Sequence, residues 1–178
     1  MARDPALRRK QGVVIALGAA AAIVVLGVAA SASTWFAALV PQSDEPAARL
    51  AFAVRWLLAP GCALLAGIFN VSRRGFYAEA IDGTRTPANR GLEIGLRYNQ
   101  NTLEQTVLAV IAWLGLAVDL PHAGLALIPA MAVLFVVGRL TFWIGYLVVP
   151  TWRAFGMVMT ALPTIVAYGW LLVHGLAR

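Results

Sequence analysis

Arg97, Asn101 and Glu104 stand four and three residues apart in the stretch RYNQNTLE. On a helix those spacings bring an arginine, an amide and a carboxylate onto one face. Straight after them the chain turns apolar, in VLAVIAWLGLAV from Val107 to Val118. Two readings are open. Arg97 and Glu104 can form an interfacial ion pair that ends a membrane helix, with the arginine reaching back to the surface. Alternatively, the three residues form one wall of a pocket, because ionisable groups inside a membrane segment usually mark function.

Arg139 bears on the choice. It lies inside VVGRLTFWIGYLVV, flanked on both sides by apolar residues. A charge at that depth must face a partner or a wet cavity. It can neutralise Glu104 in the interior, or it can serve a ligand. Tyr146 follows seven residues later on the same helical face, with Phe142 between them. Tyr146 is equally readable as an interfacial belt residue. Arg73 and Arg74 end one apolar segment and Arg153 opens another. Cations therefore converge around one carboxylate, an arrangement suited to an anionic small molecule. Arginine forks match carboxylates, and a nearby guanidinium lowers a thiol pKa from its usual value of about 8.5.

The elements that carry these residues must be membrane helices. Of 178 residues, 61% are hydrophobic and 12% charged, and the mean hydropathy is +0.78. Soluble domains carry roughly twice that charge. The net charge is +6, with 13 arginines and a single lysine. Those cations flank apolar runs and read as topology anchors, which disfavours a nucleic-acid partner. The lone Cys62 excludes a disulfide framework and reads as a small hydrophobe. Zinc-ligand spacing, a glycine-rich phosphate loop and a nucleophile elbow are all missing from the sequence. His122 and His174 read as interfacial.

Five apolar segments are expected: Gly12 to Val40, Leu50 to Asn70, from Glu104 to Asp119, Ala123 to Val149, and Ala154 to Leu176. The first resembles a secretory signal ending in VAASAS, but it exceeds the roughly 7–15 apolar residues of such a leader and reads as a retained span. Arg3, Arg8, Arg9 and Lys10 place the N-terminus inside. Arg73, Arg74, Arg85, Arg90 and Arg97 place the next polar stretch inside too, and Arg153 does the same for the last. The result is an N-in, C-out bundle of five spans. Residues 1–49 form an N-terminal span with its outer loop, and 50–178 a four-helix unit. Asp82-Gly83 and Thr86-Pro87 mark turns in the one long polar stretch, which has room for a short interfacial helix. Short loops suit a bacterial inner membrane.

SRRGF at Ser72–Phe76, RYNQNTLE at Arg97–Glu104 and GRLTFWIGYLVVPTWRAFG at Gly138–Gly156 together resemble the MAPEG family, the membrane-associated proteins in eicosanoid and glutathione metabolism. The resemblance covers about residues 50–176, and the first span is an addition to the family pattern. It implies an all-α, MAPEG-like four-helix bundle, assembled as a homotrimer, with glutathione as co-substrate between subunits at the cytoplasmic face. By position, Arg73, Arg74, Arg97, Asn101, Glu104, Arg139 and Tyr146 resemble glutathione contacts, and Arg153 resembles the arginine that stabilises the thiolate. The implied activity is conjugation or reduction of a lipophilic electrophile that enters from the membrane lipids. Phe142 and Gln105 stand where eicosanoid-processing members carry tyrosines, which implies a member outside the leukotriene synthase branch. A second expectation is a non-catalytic adaptor or accessory subunit of a membrane complex. The small-residue run GAAAAIVVLGVAASAS motivates it, because such a face lets a partner helix approach closely.

Overall fold

The computed structural model describes residues 5–31, 38–78, 80–82 and 89–176, and every regular element among them is helical. Arg3, Arg85, Gly83 and the Thr86-Pro87 turn lie outside the described residues. The helices are α1 (Pro5–Ser31), α2 (Pro46–Trp56), α3 (Leu58–Ser72), α4 (Arg90–Asp119), α5 (Leu127–Val148) and α6 (Arg153–Leu176). Short 3-10 turns at Arg73–Phe76, His122–Ala126 and Pro150–Trp152 link or extend them. α2, α3 and the turn after them make one continuous rod, so five helical spans are long and apolar enough to cross a membrane. The chain is thus an all-helical membrane protein by length and composition.

Local chemistry explains the boundaries. Pro46 occupies the first turn of α2, where its missing N–H costs nothing. The α2–α3 break falls at Leu57, three residues before Pro60. Pro60 offers no N–H to Trp56, and its ring crowds that carbonyl. The start of α4 departs from expectation. The apolar segment expected from Glu104 is the later part of a longer helix, which already begins at Arg90. The Asn89 side chain caps it, accepting from the Gly91 N–H at 2.9 Å and the Leu92 N–H at 3.2 Å. Arg97, Asn101 and Glu104 therefore sit well inside a formed helix. α1 begins at Pro5, earlier than the expected Gly12, and is helical to Ser31. In the polar stretch, the helical structure described before α4 is the Arg73–Phe76 turn.

The apolar core fills one half of the bundle. Phe52 and Ala53 of α2, Trp113 and Leu116 of α4, Ile128 and Phe135 of α5, and Ala167 of α6 pack there. At that end Arg49 ties the termini together. Its guanidinium donates to the carbonyls of Ala117, at 2.7 Å, and Leu120, and pairs with Asp44 at 3.7 Å. A cation thus meets the last carbonyls of α4, where the helix dipole is negative. Successive spans alternate direction, so Arg73, Arg74, Arg97 and Arg153 gather at the opposite, basic end.

α5 and α6 make the closest crossing. A Cβ on Gly156 would strike the Gly138 carbonyl, the Phe142 N–H and, at 2.7 Å, the Thr141 hydroxyl. A Cβ on Gly138 would lie 2.7 Å from the Thr160 methyl. α1 docks in the same manner: a Cβ on Gly18 would sit 2.7 Å from the Phe155 carbonyl. Small residues set such contacts because lipid provides no hydrophobic drive between helices.

Gly156→Val should therefore cost about 3 kcal/mol or more, since backbone cannot move aside as a side chain can. Gly169 has nothing within 4 Å of its would-be Cβ. Gly169→Ala should be neutral or stabilise by up to about 1 kcal/mol. Denaturation in mixed micelles measures both, and equal stability of the two variants would remove the crossing from the account.

Candidate functional site

The site begins with one charge. Arg139 on α5 is 1% exposed, within a span where water is excluded. Its Nη1 donates to Asn101 Oδ1 of α4 at 2.6 Å, and its Nη2 to Thr160 Oγ1 of α6 at 2.6 Å. A third, longer contact of 3.4 Å reaches the Gly156 carbonyl. The guanidinium carbon also lies 4.8 Å from the centre of the Phe142 ring and 5.8 Å from that of Phe135. Stacking over such rings adds about 0.5–2 kcal/mol. One arginine thus binds three helices, and its partners are neutral. The Gly138–Gly156 approach is what lets α6 bring Thr160 within reach.

An aromatic row leads from this node to the basic end. Phe142 and Tyr146 sit edge-to-face with ring centres 5.9 Å apart. The Arg153 guanidinium then lies 4.6 Å over the Tyr146 ring. Arg153 is exposed and is the first residue of α6. Tyr98 braces the row from α4. Its ring sits 4.7 Å from Trp143 and 6.2 Å from Phe142, and its hydroxyl donates to the Ala63 carbonyl at 3.1 Å.

The expected residues thus divide into two sets. Asn101, Arg139, Tyr146 and Arg153 are linked through contacts within one chain. Arg97 and Glu104 are exposed, and no ion pair joins them among the described residues. Seven residues of helix separate them by about 10 Å along the axis, too far for a direct bridge. Glu104 instead accepts from the Gln100 amide at 2.8 Å. Nor does Glu104 neutralise Arg139, whose described polar partners are Asn101, Thr160 and Gly156. Arg73 and Arg74 are exposed at the start of the 3-10 turn, with Arg73 against Gly91 of α4.

Arg97, Gln100, Glu104, Val107 and Ile111 form an exposed stripe down α4. About 20 residues of helix cross the hydrocarbon, so counting back from Asp119 puts the membrane boundary near Asn99 or Gln100. Glu104 then lies roughly one turn inside it, on an uncovered face. Beside it, Gln105 and Thr102 are buried, and Gln105 Oε1 and Thr102 Oγ1 have no hydrogen-bond partner among the described residues.

Thr160, Gly156 and Tyr98 were not singled out from the sequence. A signal for two of them exists: Gly156 and Thr160 form a small-xxx-small pair, the spacing at which membrane helices approach closely. No comparable signal marks Tyr98, whose role depends on where α3 and α5 fall. Among the described residues, no three His, Cys, Asp or Glu side chains cluster as metal ligands would. No protein-family model, no curated protein and no solved structure matches the chain.

Arg139→Met should destabilise the bundle by about 2–4 kcal/mol, because it strands the Asn101 carbonyl oxygen and removes the link to Thr160, whose hydroxyl keeps its bond to the Met157 carbonyl. Combined with Asn101→Leu, the double variant should recover about 1–3 kcal/mol of the summed losses. Arg97→Ala, at an exposed position, should change stability by less than about 0.5 kcal/mol. Strict additivity of Arg139→Met and Asn101→Leu in the same denaturation assay would break the proposed link.

Proposed function

We propose that the chain is a membrane-bound glutathione transferase or peroxidase whose site forms between copies of the chain at the basic end. One observation carries this reading: the exposed Arg97–Gln100–Glu104 stripe lies on a membrane-length helix beside an Asn101 that accepts from the buried Arg139. A charge at the bilayer centre costs about 2.5–3.5 kcal/mol or more, and one near its edge costs part of that. A neighbouring subunit and a zwitterionic ligand relieve the cost together. The family resemblance makes that assembly a homotrimer within the MAPEG family. Arginine asymmetry makes the basic end cytoplasmic, and short loops suit a bacterial inner membrane.

The roles follow from chemistry. Arg97, with Arg73 and Arg74 nearby on the basic end, binds the glutathione carboxylates through bidentate hydrogen bonds. Glu104 takes the amino group. Asn101 contributes its amide to the ligand, and Arg139 acts through Asn101 as a positioning residue. Arg153, on the face of Tyr146, favours thiolate over thiol. A shift of two pKa units corresponds to about 2.7 kcal/mol. The thiolate sulfur then attacks an electrophilic carbon and displaces its leaving group, or attacks the terminal oxygen of a hydroperoxide and breaks its O–O bond, giving an alkoxide that is protonated to the alcohol and a glutathione sulfenic acid that a second glutathione converts to disulfide and water. The lipophilic partner arrives through the bilayer, which fits a detoxifying role.

A second reading is a non-catalytic adaptor or accessory subunit. The burial of Arg139 among Asn101, Thr160 and Gly156 favours it, because a guanidinium committed to the fold is closed to a ligand. Gly18 and Ala22 of the small-residue run face the bundle, so the surface of α1 that would meet the partner carries Ile15, Ile23 and Val24.

Glutathione at one hundred times its Kd should stabilise the detergent-solubilised protein by about 2.7 kcal/mol. Arg97→Ala and Glu104→Gln should each abolish that gain. Arg153→Leu should keep binding but lose the ultraviolet absorbance of the bound thiolate. Failure to bind millimolar glutathione would sink the transferase reading. Binding without turnover across electrophiles and hydroperoxides would favour the adaptor.

A further inference from the structure

A continuous groove runs along α1 where it leans on α5 and α6. Its inner part is a cavity of about 500 Å³ lined by Val14, Leu17, Ile144, Val148 and Phe155. Its mouth is a cavity of about 830 Å³ at the N-terminal end of α1, bordered by Arg9, Lys10 and Thr151. Val14 and Trp152 line both, so the two adjoin along one side of α1. The contact of Gly18 with the Phe155 backbone closes the deep end. From Arg9 to Leu17 the helix rises about 12 Å, and from Val148 back to Thr141 α5 covers about 10 Å. The volumes fall in the usual range of small-ligand sites.

We infer that this groove binds one anionic phospholipid, with its headgroup at Arg9 and Lys10 and an acyl chain between Leu17, Ile144 and Phe155. The charge pattern selects that occupant. The deep part is almost wholly apolar and suits a hydrocarbon chain, whereas the mouth carries two cations and the Thr151 hydroxyl. Trp152, 59% exposed, stands at the junction, where an indole prefers the boundary between headgroups and chains. A soluble anion would gain nothing from the apolar depth, and a zwitterionic lipid would gain little from the cations. A bound lipid would also fill the space between α1 and the rest of the bundle, giving α1 a role of its own. The inference does not depend on glutathione binding, because none of the residues proposed to hold glutathione lines the groove.

The test uses the full chain in detergent, titrated with phosphatidylglycerol or with phosphatidylcholine of the same acyl chains, and read by native mass spectrometry and thermal melting. Each basic residue near an anionic surface contributes a several-fold preference, so two should favour phosphatidylglycerol about thirtyfold at low salt. One phosphatidylglycerol should remain on each chain. Arg9→Gln with Lys10→Gln should bring phosphatidylglycerol down to the phosphatidylcholine level and leave the lipid-free melting temperature unchanged. Ile144→Trp should fill the cleft and remove both lipids, and Leu17→Trp tests the opposite wall should Ile144→Trp fail to fold. Inorganic phosphate alone should not shift the melting temperature. Equal retention of the two lipids, or undiminished phosphatidylglycerol on the double glutamine variant, would overturn the inference. So would a cleft-filling variant that keeps its lipid, or one that changes subunit number, which would assign the groove to a second copy of the chain.

Discussion

A guanidinium without access to water must find hydrogen-bond acceptors inside the protein, and in this chain the rest of the basic half is arranged around that need. Arg139 cannot be satisfied by its own helix, whose carbonyls are already engaged. Asn101 must come from α4 and Thr160 from α6, each at 2.6 Å. That requirement fixes the distance of both helices from α5. Gly138 and Gly156 make the approach sterically possible, so the glycines and the arginine form one device. The partners are neutral, so the charge is not cancelled locally. It is held by dipoles and by the face of Phe142.

The bundle separates into two halves for the same reason. The end containing Trp113, Ile128 and Phe135 is a packed apolar core. The basic end carries a smaller apolar cluster of Val71, Ala80 and Leu92 together with hydrogen bonds and aromatic contacts, and leaves its polar stripe on α4 exposed. An apolar half completes its packing inside one chain. The basic half leaves Arg97 and Glu104 exposed, and Thr102 Oγ1 and Gln105 Oε1 without a hydrogen-bond partner among the described residues. Asn101, whose carbonyl oxygen accepts from Arg139, and Glu104, whose described partner is the neighbouring Gln100, show the contrast within one turn of helix.

Much of the architecture was legible because it follows from composition and spacing. Spans follow from apolar runs, and the end of α4 from Leu120 and Pro121, whereas the break at Leu57 was not expected, although Pro60 dictates it locally. The polar face of α4 was legible from spacings of three and four. Its placement inside a helix that starts at Arg90 was not, because apolar runs alone do not reveal how far a capped helix extends beyond them. Asn89 held that information, as an N-cap ahead of Arg90 and Gly91.

By itself the sequence determined that the chain is helical, that it has five membrane-length spans, and that Arg97, Asn101 and Glu104 share a face, since each depends on hydropathy or on the helical repeat. Only the tertiary structure decided what each of the three does. Arg139 reaches Asn101 and leaves Glu104 on the outer side of α4, a distinction set by the crossing of α5 and α6 at Gly138 and Gly156. A helical repeat tells which residues are neighbours on one rod. Which of them meets the next rod depends on how closely the backbones pass, and that is a property of pairs of helices.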